Sequence, residues 1–167
     1  MSLKEDIDVV KIENPAWKSN SRIIGRAGEK YCSKNMKCIE CNSCDWLECI
    51  TNEKSKDQIC NNCKKNYQIK CKKIGKKQHS NILINKTFKT IGAEYNTTLK
   101  SIDQNIDYII ILYDNKSYKI LDILHIKSSN ITCENIIPRK PLSDKAKRKG
   151  WQGCYLHFIK FNIISAF

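Results

Sequence analysis

Residues 57–70 read Asp-Gln-Ile-Cys-Asn-Asn-Cys-Lys-Lys-Asn-Tyr-Gln-Ile-Lys and organise the middle of the chain. The stretch contains a Cys-x-x-Cys pair, Cys60 and Cys63, and then alternates over residues 67–71 in the manner of a β-strand. In such a strand Ile69 faces a core, while Gln68 and Lys70 share the opposite face. We therefore expect a metal-binding turn directly beside a polar strand face whose side chains can address one phosphate.

Ten cysteines among 167 residues form several close pairs. The N terminus is charged from residue 4 and has no apolar signal core, so we expect a cytoplasmic protein. In a reducing compartment, repeated Cys-x-x-Cys pairs predict zinc ligands rather than disulfides, because four thiolates from two turns complete a tetrahedral shell. The expected structural zinc module covers about residues 32–63.

Spacing alone leaves the first pair of zinc ligands open. Cys38 and Cys41 have the required spacing, but so do Cys41 and Cys44, and Cys32 and Cys49 lie nearby. The second pair, Cys60 and Cys63, has no close competitor apart from Cys71. Cys133 and Cys154 are expected in the core.

The chain is strongly basic, with 30 Lys and Arg residues against 17 Asp and Glu residues and a formal charge of +13. The excess is concentrated in residues 64–77 and 139–149. Two dense basic segments favour a polyphosphate partner such as nucleic acid. The longest apolar run, residues 108–113, is too short to cross a bilayer, so no membrane partner is expected.

The remaining pattern predicts one α/β domain over residues 1–167, with a mixed sheet, flanking helices and a zinc lobe at one edge. Residues 1–19 are expected to be loosely attached. Helices are expected over residues 21–31, with Ser21 as N-cap, and over residues 88–104. Residues 107–113 and 117–126 read as a hairpin, and residues 155–164 as a strand that closes the sheet.

Asp57, Gln68 and Lys70 together suit phosphodiester hydrolysis. A divalent cation that polarises a phosphate and activates water needs oxygen ligands close together, and a lysine can orient the attacking water. We expect Asp57 at a strand end, the cysteine turn after it, and Gln68 and Lys70 on the returning strand. Histidines at 79, 125 and 157 lack a partner pattern and are not expected to be catalytic.

The order Asp57, Cys60-x-x-Cys63 and Gln68-Ile69-Lys70 resembles the PD-(D/E)XK nuclease superfamily and, more narrowly, the Dam-replacing restriction enzymes typified by DpnI. Residues 17–21 (Trp-Lys-Ser-Asn-Ser), 136–142 (Ile-Ile-Pro-Arg-Lys-Pro-Leu) and 148–154 (Arg-Lys-Gly-Trp-Gln-Gly-Cys) are similar to segments of that family. The resemblance spans roughly residues 17–158 and favours Cys38 and Cys41 as the first zinc pair.

The resemblance implies a PD-(D/E)XK core and a magnesium-dependent endonuclease for double-stranded DNA, with N6-methyladenine in GATC as the expected target. Asp57 and Gln68 would hold magnesium, and Lys70 would position the water. Basic side chains expected on DNA are Lys72, Lys73, Arg139, Lys140, Arg148 and Lys149.

Two features depart from the family pattern. Gln68 stands where the family has Glu, which removes one negative charge from the metal site. A winged-helix domain usually follows in the family, and since the sequence runs only to Phe167 we expect this domain to be absent. These departures keep a second hypothesis open, namely a catalytically inactive, zinc-stabilised DNA-binding protein.

Overall fold

The computed structural model describes residues 1–48 and 56–164. In chain order, its helices and strands are α1 (Lys4–Glu13), α2 (Asn20–Asn35), β1 (Trp46–Glu48), β2 (Gln58–Cys60), β3 (Asn66–Lys73), α3 (Lys76–Asn85), β4 (Phe88–Glu94), α4 (Tyr95–Lys100), β5 (Ile106–Tyr113), β6 (Ile120–Ile126), β7 (Ile136–Pro138), β8 (Gly153–Phe158) and β9 (Asn162–Ile164). Short 3₁₀ turns cover residues 102–104, 128–130 and 133–135.

A six-stranded sheet in the order β1-β2-β3-β5-β6-β9 forms the centre of the fold. Strands β3 and β5 pair in parallel, and the other neighbours pair antiparallel. All eight residues of β5 are buried, because this strand lies inside the sheet and is covered on both faces. The mixed sheet with flanking helices is therefore confirmed.

The two faces of this sheet are covered by different layers. Helices α1 and α2 pack on one face, where Ile23 and Tyr31 of α2 join Ile69, Ile109 and Ile111 in one apolar cluster. The second face packs against a three-stranded antiparallel sheet in the order β4-β8-β7 and against α3. The result is a layered arrangement in which β3 and β5 lie between two apolar clusters.

The N-terminal residues differ from expectation, since residues 1–19 are not loosely attached. Helix α1 buries Ile7 and Val10 against α2, and the exposed amine of Lys34 lies 2.7 Å from the buried carboxylate of Asp6. Helix α2 begins at Asn20, with Ser19 as its N-cap instead of Ser21. Ile7 and Val10 are three residues apart, which is a helical spacing. The prediction gave it too little weight because Pro15 interrupts residues 1–19.

Residues 88–104 are not one helix, and this prediction was wrong. Residues 88–91 alternate between buried and exposed, with Phe88 and Thr90 turned inward, because they pair with β8. Only residues 95–100 are α-helical, and the carboxylate of Glu94 caps them by accepting from the backbone amides of Asn96 and Thr97.

Later elements follow expectation in part. The β5–β6 hairpin is confirmed, and the carboxylate of Asp114 accepts backbone hydrogen bonds within its turn. The C-terminal stretch divides, since β8 joins the smaller sheet and β9 extends the larger one. Cys154 is buried as expected, whereas Cys133 is exposed in a 3₁₀ turn. Across residues 1–48 and 56–164, each helix is too short or too polar to span a membrane.

Candidate catalytic site and metal centre

Four cysteine side chains converge beside the β1–β2 end of the large sheet. The Sγ atoms of Cys38, Cys41, Cys60 and Cys63 all lie within 4.8 Å of one another. The closest contacts, Cys38 to Cys63 and Cys41 to Cys60, are each 3.5 Å. A zinc ion with four Zn–S bonds of about 2.3 Å needs sulfurs about 3.8 Å apart, so the cluster fits a tetrahedral zinc ion.

The two Cys-x-x-Cys turns are built alike. In the first, the amide of Asn42 donates to the carbonyl of Cys38 (2.8 Å), and the Cys38 amide donates to the Ser43 carbonyl (2.8 Å). In the second, Lys64 donates to Cys60 (2.8 Å) and Cys60 donates to Lys65 (2.9 Å).

The residue after each pair, Asn42 or Lys64, has a positive φ near 60°, which reverses the chain and turns both thiols the same way. Cys44 is exposed and lies outside the cluster, so the first pair is Cys38 and Cys41. Cys49, the other alternative, falls outside the described residues.

Tyr67 joins this cluster to the large sheet. Its hydroxyl lies 3.4 Å from the Sγ of Cys38, and its ring meets the edge of Trp46 at a centroid distance of 5.4 Å. The Trp46 indole in turn donates to the backbone carbonyl of Met36 (2.8 Å). The thiolate module is therefore packed onto the strand that carries Gln68 and Lys70.

Asp57 and Gln68 meet because β2 and β3 pair antiparallel across the second cysteine turn. Asp57 directly precedes β2, so it stands at a strand start and not at a strand end as expected. Its backbone amide donates to the Tyr67 carbonyl (2.9 Å), and its Oδ2 accepts from the Ile69 amide (2.7 Å). The Gln68 side-chain amide donates to the same carboxylate oxygen.

Gln68 and Lys70 share one face of β3, as predicted, since Tyr67 and Ile69 point into the opposite apolar cluster. Lys70 is close enough to Asp57 for each charge to shift the pKa of the other. The structure thus brings the three predicted catalytic side chains, Asp57, Gln68 and Lys70, together.

Burial shapes the electrostatics of this trio. It raises the pKa of Asp57, while the Ile69 amide, the Lys70 charge and the Gln68 amide lower it. Burial also lowers the pKa of Lys70, and the negative charge of Asp57 opposes that shift. The charges of Asp57 and Lys70 compensate each other, and the neutral amide of Gln68 adds no charge.

The donor set fits a hard divalent cation. A carboxylate oxygen of Asp57 and the amide oxygen of Gln68, once the amide turns, would provide two adjacent oxygen ligands of the kind that magnesium binds. The neighbouring Gln58 turns to α2, where its side-chain amide donates to the Glu29 carbonyl (2.7 Å) and to the Ser33 hydroxyl (2.5 Å).

A buried polar network that sequence reasoning missed lies on the zinc side of the sheet. The carboxylate of Asp107 accepts from the Ser128 amide (2.8 Å) and pairs with Lys65 (2.8 Å) and His125 (2.7 Å). Burial raises the pKa of Asp107, but these three partners lower it to about 2. No signal in the sequence identifies the network, since it depends on the register of β3, β5 and β6. Its groups are mutually satisfied, so we assign it to stability.

The predicted DNA-contacting residues lie in two places. Lys72 continues the Gln68–Lys70 face of β3, and Lys73 is exposed at its end. Arg139 follows β7, and the Arg148 guanidinium lies 4.4 Å from the centre of the Trp151 ring. Lys140 and Lys149 are exposed, and Lys149 approaches the Asp144 carboxylate at 3.1 Å.

The fold and the two sites together define a mixed α/β protein that combines a four-cysteine cluster able to hold a metal ion with an Asp–Gln–Lys cluster. Residues 1–163 match the DpnI family, described as the Dam-replacing family. The chain belongs to this family. Membership implies a restriction endonuclease that acts on methylated DNA.

Proposed function

We propose that this chain is a magnesium-dependent endonuclease that hydrolyses double-stranded DNA at adenine-methylated GATC, with a PD-(D/E)XK-type site formed by Asp57, Gln68 and Lys70. The observation that carries the proposal is the convergence of these three side chains across the β2–β3 pair, in a chain of the Dam-replacing family.

Each residue has a distinct role in this proposal. Asp57 and Gln68 would hold the cation, which when bound would polarise the phosphate and lower the pKa of a water molecule. The Lys70 ammonium orients the attacking water and offsets the negative charge that develops on the phosphate. The Ile69 amide, bonded to Asp57 Oδ2 at 2.7 Å, fixes the carboxylate against the strand.

The glutamine sets the strength of cation binding. With glutamate at position 68, two carboxylates and one ammonium would leave a net negative charge, whereas Asp57 and Lys70 alone balance. Gln68 also donates to Asp57, so its amide must turn before its oxygen can face a cation. We therefore propose an active site that needs a higher magnesium concentration than a site with glutamate.

The second candidate is a zinc-stabilised DNA-binding protein without cleavage activity. The hydrogen bond from the Gln68 amide to Asp57 favours it, because it satisfies the carboxylate without a cation. The lysine at position 70 favours cleavage, since a buried ammonium beside a buried carboxylate is costly without a functional use.

One plasmid prepared with and without adenine methylation at GATC tests both candidates. The purified chain with magnesium should cut the methylated plasmid into discrete fragments and leave the other intact. Lys70→Ala and Asp57→Ala should each lose at least about 100-fold in cleavage rate, the scale of a removed general acid–base or electrostatic group.

Lys116→Ala, in the exposed β5–β6 turn, should cleave like the wild type. Binding without any cutting by the wild-type chain would support the second candidate. Cutting of both plasmids would retain the nuclease and reject its methylation dependence. Retained cleavage in the Lys70 or Asp57 variants would reject the proposed site.

A further inference from the structure

The outer face of the small sheet carries an exposed apolar row. The register of β4, β8 and β7 aligns Ile91, Tyr155 and Ile137 across the three strands. Their neighbours Cys154, Leu156 and Phe158 point inward and are buried. Ile91 is 50% exposed and Ile137 is 37% exposed, so this row faces solvent.

Two cations flank the central ring of this row. The Lys89 ammonium lies 4.5 Å from the centre of the Tyr155 ring, and the Arg139 guanidinium lies 5.3 Å from it. Lys89, on β4, pairs with His157 of β8. On the other side of β8, the amide of Arg139, which directly follows β7, donates to the Gly153 carbonyl. The two cations therefore approach the Tyr155 ring from the two sides of β8, each in a diagonal position relative to Tyr155.

The charges on this face are not neutralised within the described part of the chain, where no ion pair involves Lys89 or Arg139. Residues 136–164 contain seven Lys and Arg residues but one acid, Asp144. Like charges held together on an exposed surface favour an anionic partner. An aromatic-centred face that holds two cations unpaired among the described residues is suited to phosphates, because cations neutralise them and the ring holds the cations in place.

This face borders the catalytic cluster through β8. Burial raises the pKa of the inward-pointing Cys154 thiol, and the charges of Lys70 and Arg139 both lower it. Cys154 therefore lies within electrostatic range of a catalytic lysine on one side and of the outer-face arginine on the other.

We propose that Lys89, Tyr155 and Arg139 form a second contact site for the phosphate backbone of duplex DNA, outside the Asp57–Gln68–Lys70 cluster. This inference rests on the proposed function in taking DNA as the substrate. Lys89 and Arg139 contact phosphates, and Tyr155 is a positioning residue that holds both cations. The charge of the face selects DNA over an apolar peptide or a second copy of this equally basic chain.

The test is the salt dependence of DNA binding, measured by fluorescence anisotropy of a labelled duplex with one methylated GATC, with Ca²⁺ in place of Mg²⁺. Each phosphate contact contributes about 0.9 to the slope of log affinity against log salt. Lys89→Gln/Arg139→Gln should lower that slope by about 2 and weaken binding at least tenfold at low salt.

Tyr155→Leu should weaken binding several-fold, and Tyr155→Phe should restore it, because the ring and not the hydroxyl holds the cations. Lys116→Gln is the matched control for the loss of an exposed lysine and should leave the slope unchanged. Circular dichroism and zinc content establish that every variant is folded.

A slope for the double variant equal to that of the control would overturn the proposal. Loss of self-association on sedimentation, with unchanged DNA affinity, would assign the face to a second copy and also overturn it. A wild-type chain that binds but does not cleave would reject the nuclease proposal, while a reduced slope in the double variant would still support this one.

Discussion

The two faces of β3 differ in composition, partners and function. Tyr67, Ile69 and Cys71 point toward α2 and the thiolate cluster, where they lie in or against an apolar cluster. Gln68 and Lys70 point the other way, where they meet Asp57. Because side chains alternate along a strand, one short segment serves both as part of the core and as part of the candidate active site.

Because of this alternation, the odd-numbered residues of β3 contribute to stability, and the even-numbered residues contribute to the candidate active site. The Tyr67 face is held by packing and by the thiolate module, which should tolerate little change. The Lys70 face contains a buried pair of opposite charges. Their attraction adds little net stability, because removing both charges from water costs free energy. Changes on the first face should therefore unfold the protein, and changes on the second should alter activity or metal binding.

The largest effect should come from breaking the thiolate cluster. Cys60→Ser removes a buried ligand, and because metal binding to such modules is coupled to their folding, we expect loss of bound zinc and of several kcal/mol of stability. Zinc content and thermal unfolding measure both. The exposed Cys44 provides the control, since Cys44→Ser should retain about one zinc per chain and the wild-type melting temperature.

A spacing argument alone would also permit Cys44 as a ligand, so this pair of variants separates the alternatives. Zinc loss in Cys44→Ser, or full zinc retention in Cys60→Ser, would contradict the geometry of the cluster.

A smaller effect is expected where α2 crosses β3. A Cβ at Gly28 would come within 2.2 Å of the Cys71 sulfur, which the strand backbone holds in place. Gly28→Ala should therefore lower the free energy of unfolding by about 1–3 kcal/mol through overpacking. Chemical denaturation of the purified variant measures this loss.

The same helix contains its own control in Gly25, where a Cβ meets nothing within 4 Å. Gly25→Ala should stabilise the protein by up to about 1 kcal/mol through helix propensity. Combining Gly28→Ala with Cys71→Ala should recover most of the loss, because the clashing sulfur is gone. A double variant as unstable as Gly28→Ala would show that the clash is not with Cys71.

The features of this architecture that depend on neighbouring residues could be predicted from the sequence. The alternation at residues 67–71 gave the two faces of β3, and the spacing of Cys60 and Cys63 gave one zinc turn. The β4 strand was missed, because Phe88 and Thr90 alternate over only a few residues and their partner β8 is more than 60 residues away. The Asp107–His125 pair was also missed, because only the register of the sheet brings the two residues together.

The next effect should be a gain in stability on the catalytic face. Asp57→Asn/Lys70→Met replaces two buried charges, and asparagine can still accept from the Ile69 amide. We expect the free energy of unfolding to rise by about 1–2 kcal/mol, as for other replaced buried ion pairs, while cleavage is lost. Equilibrium unfolding at pH 7 measures the gain.

The stability of this variant relative to the wild type should depend on pH. Burial raises the folded-state pKa of Asp57 above its usual value of 3.8, so ionisation of Asp57 costs stability. That cost is absent below the unfolded pKa and complete once the pH exceeds the folded pKa. The advantage of Asp57→Asn/Lys70→Met over the wild type should therefore grow as pH rises through this window. A gain that stays the same across this window would reject the raised pKa.

The smallest effect should come from Gln68→Glu, which restores a second carboxylate beside Asp57. The added charge should tighten magnesium binding about tenfold, equivalent to about 1.4 kcal/mol, because hard cations prefer carboxylate to amide oxygen. Without a divalent cation the variant should melt lower than the wild type, since two carboxylates then face each other. Gln104→Glu adds the same charge at an exposed position and should change neither quantity. Magnesium titrations of melting temperature and of cleavage rate should shift together. Equal magnesium dependence in all three proteins would mean that position 68 does not bind the cation.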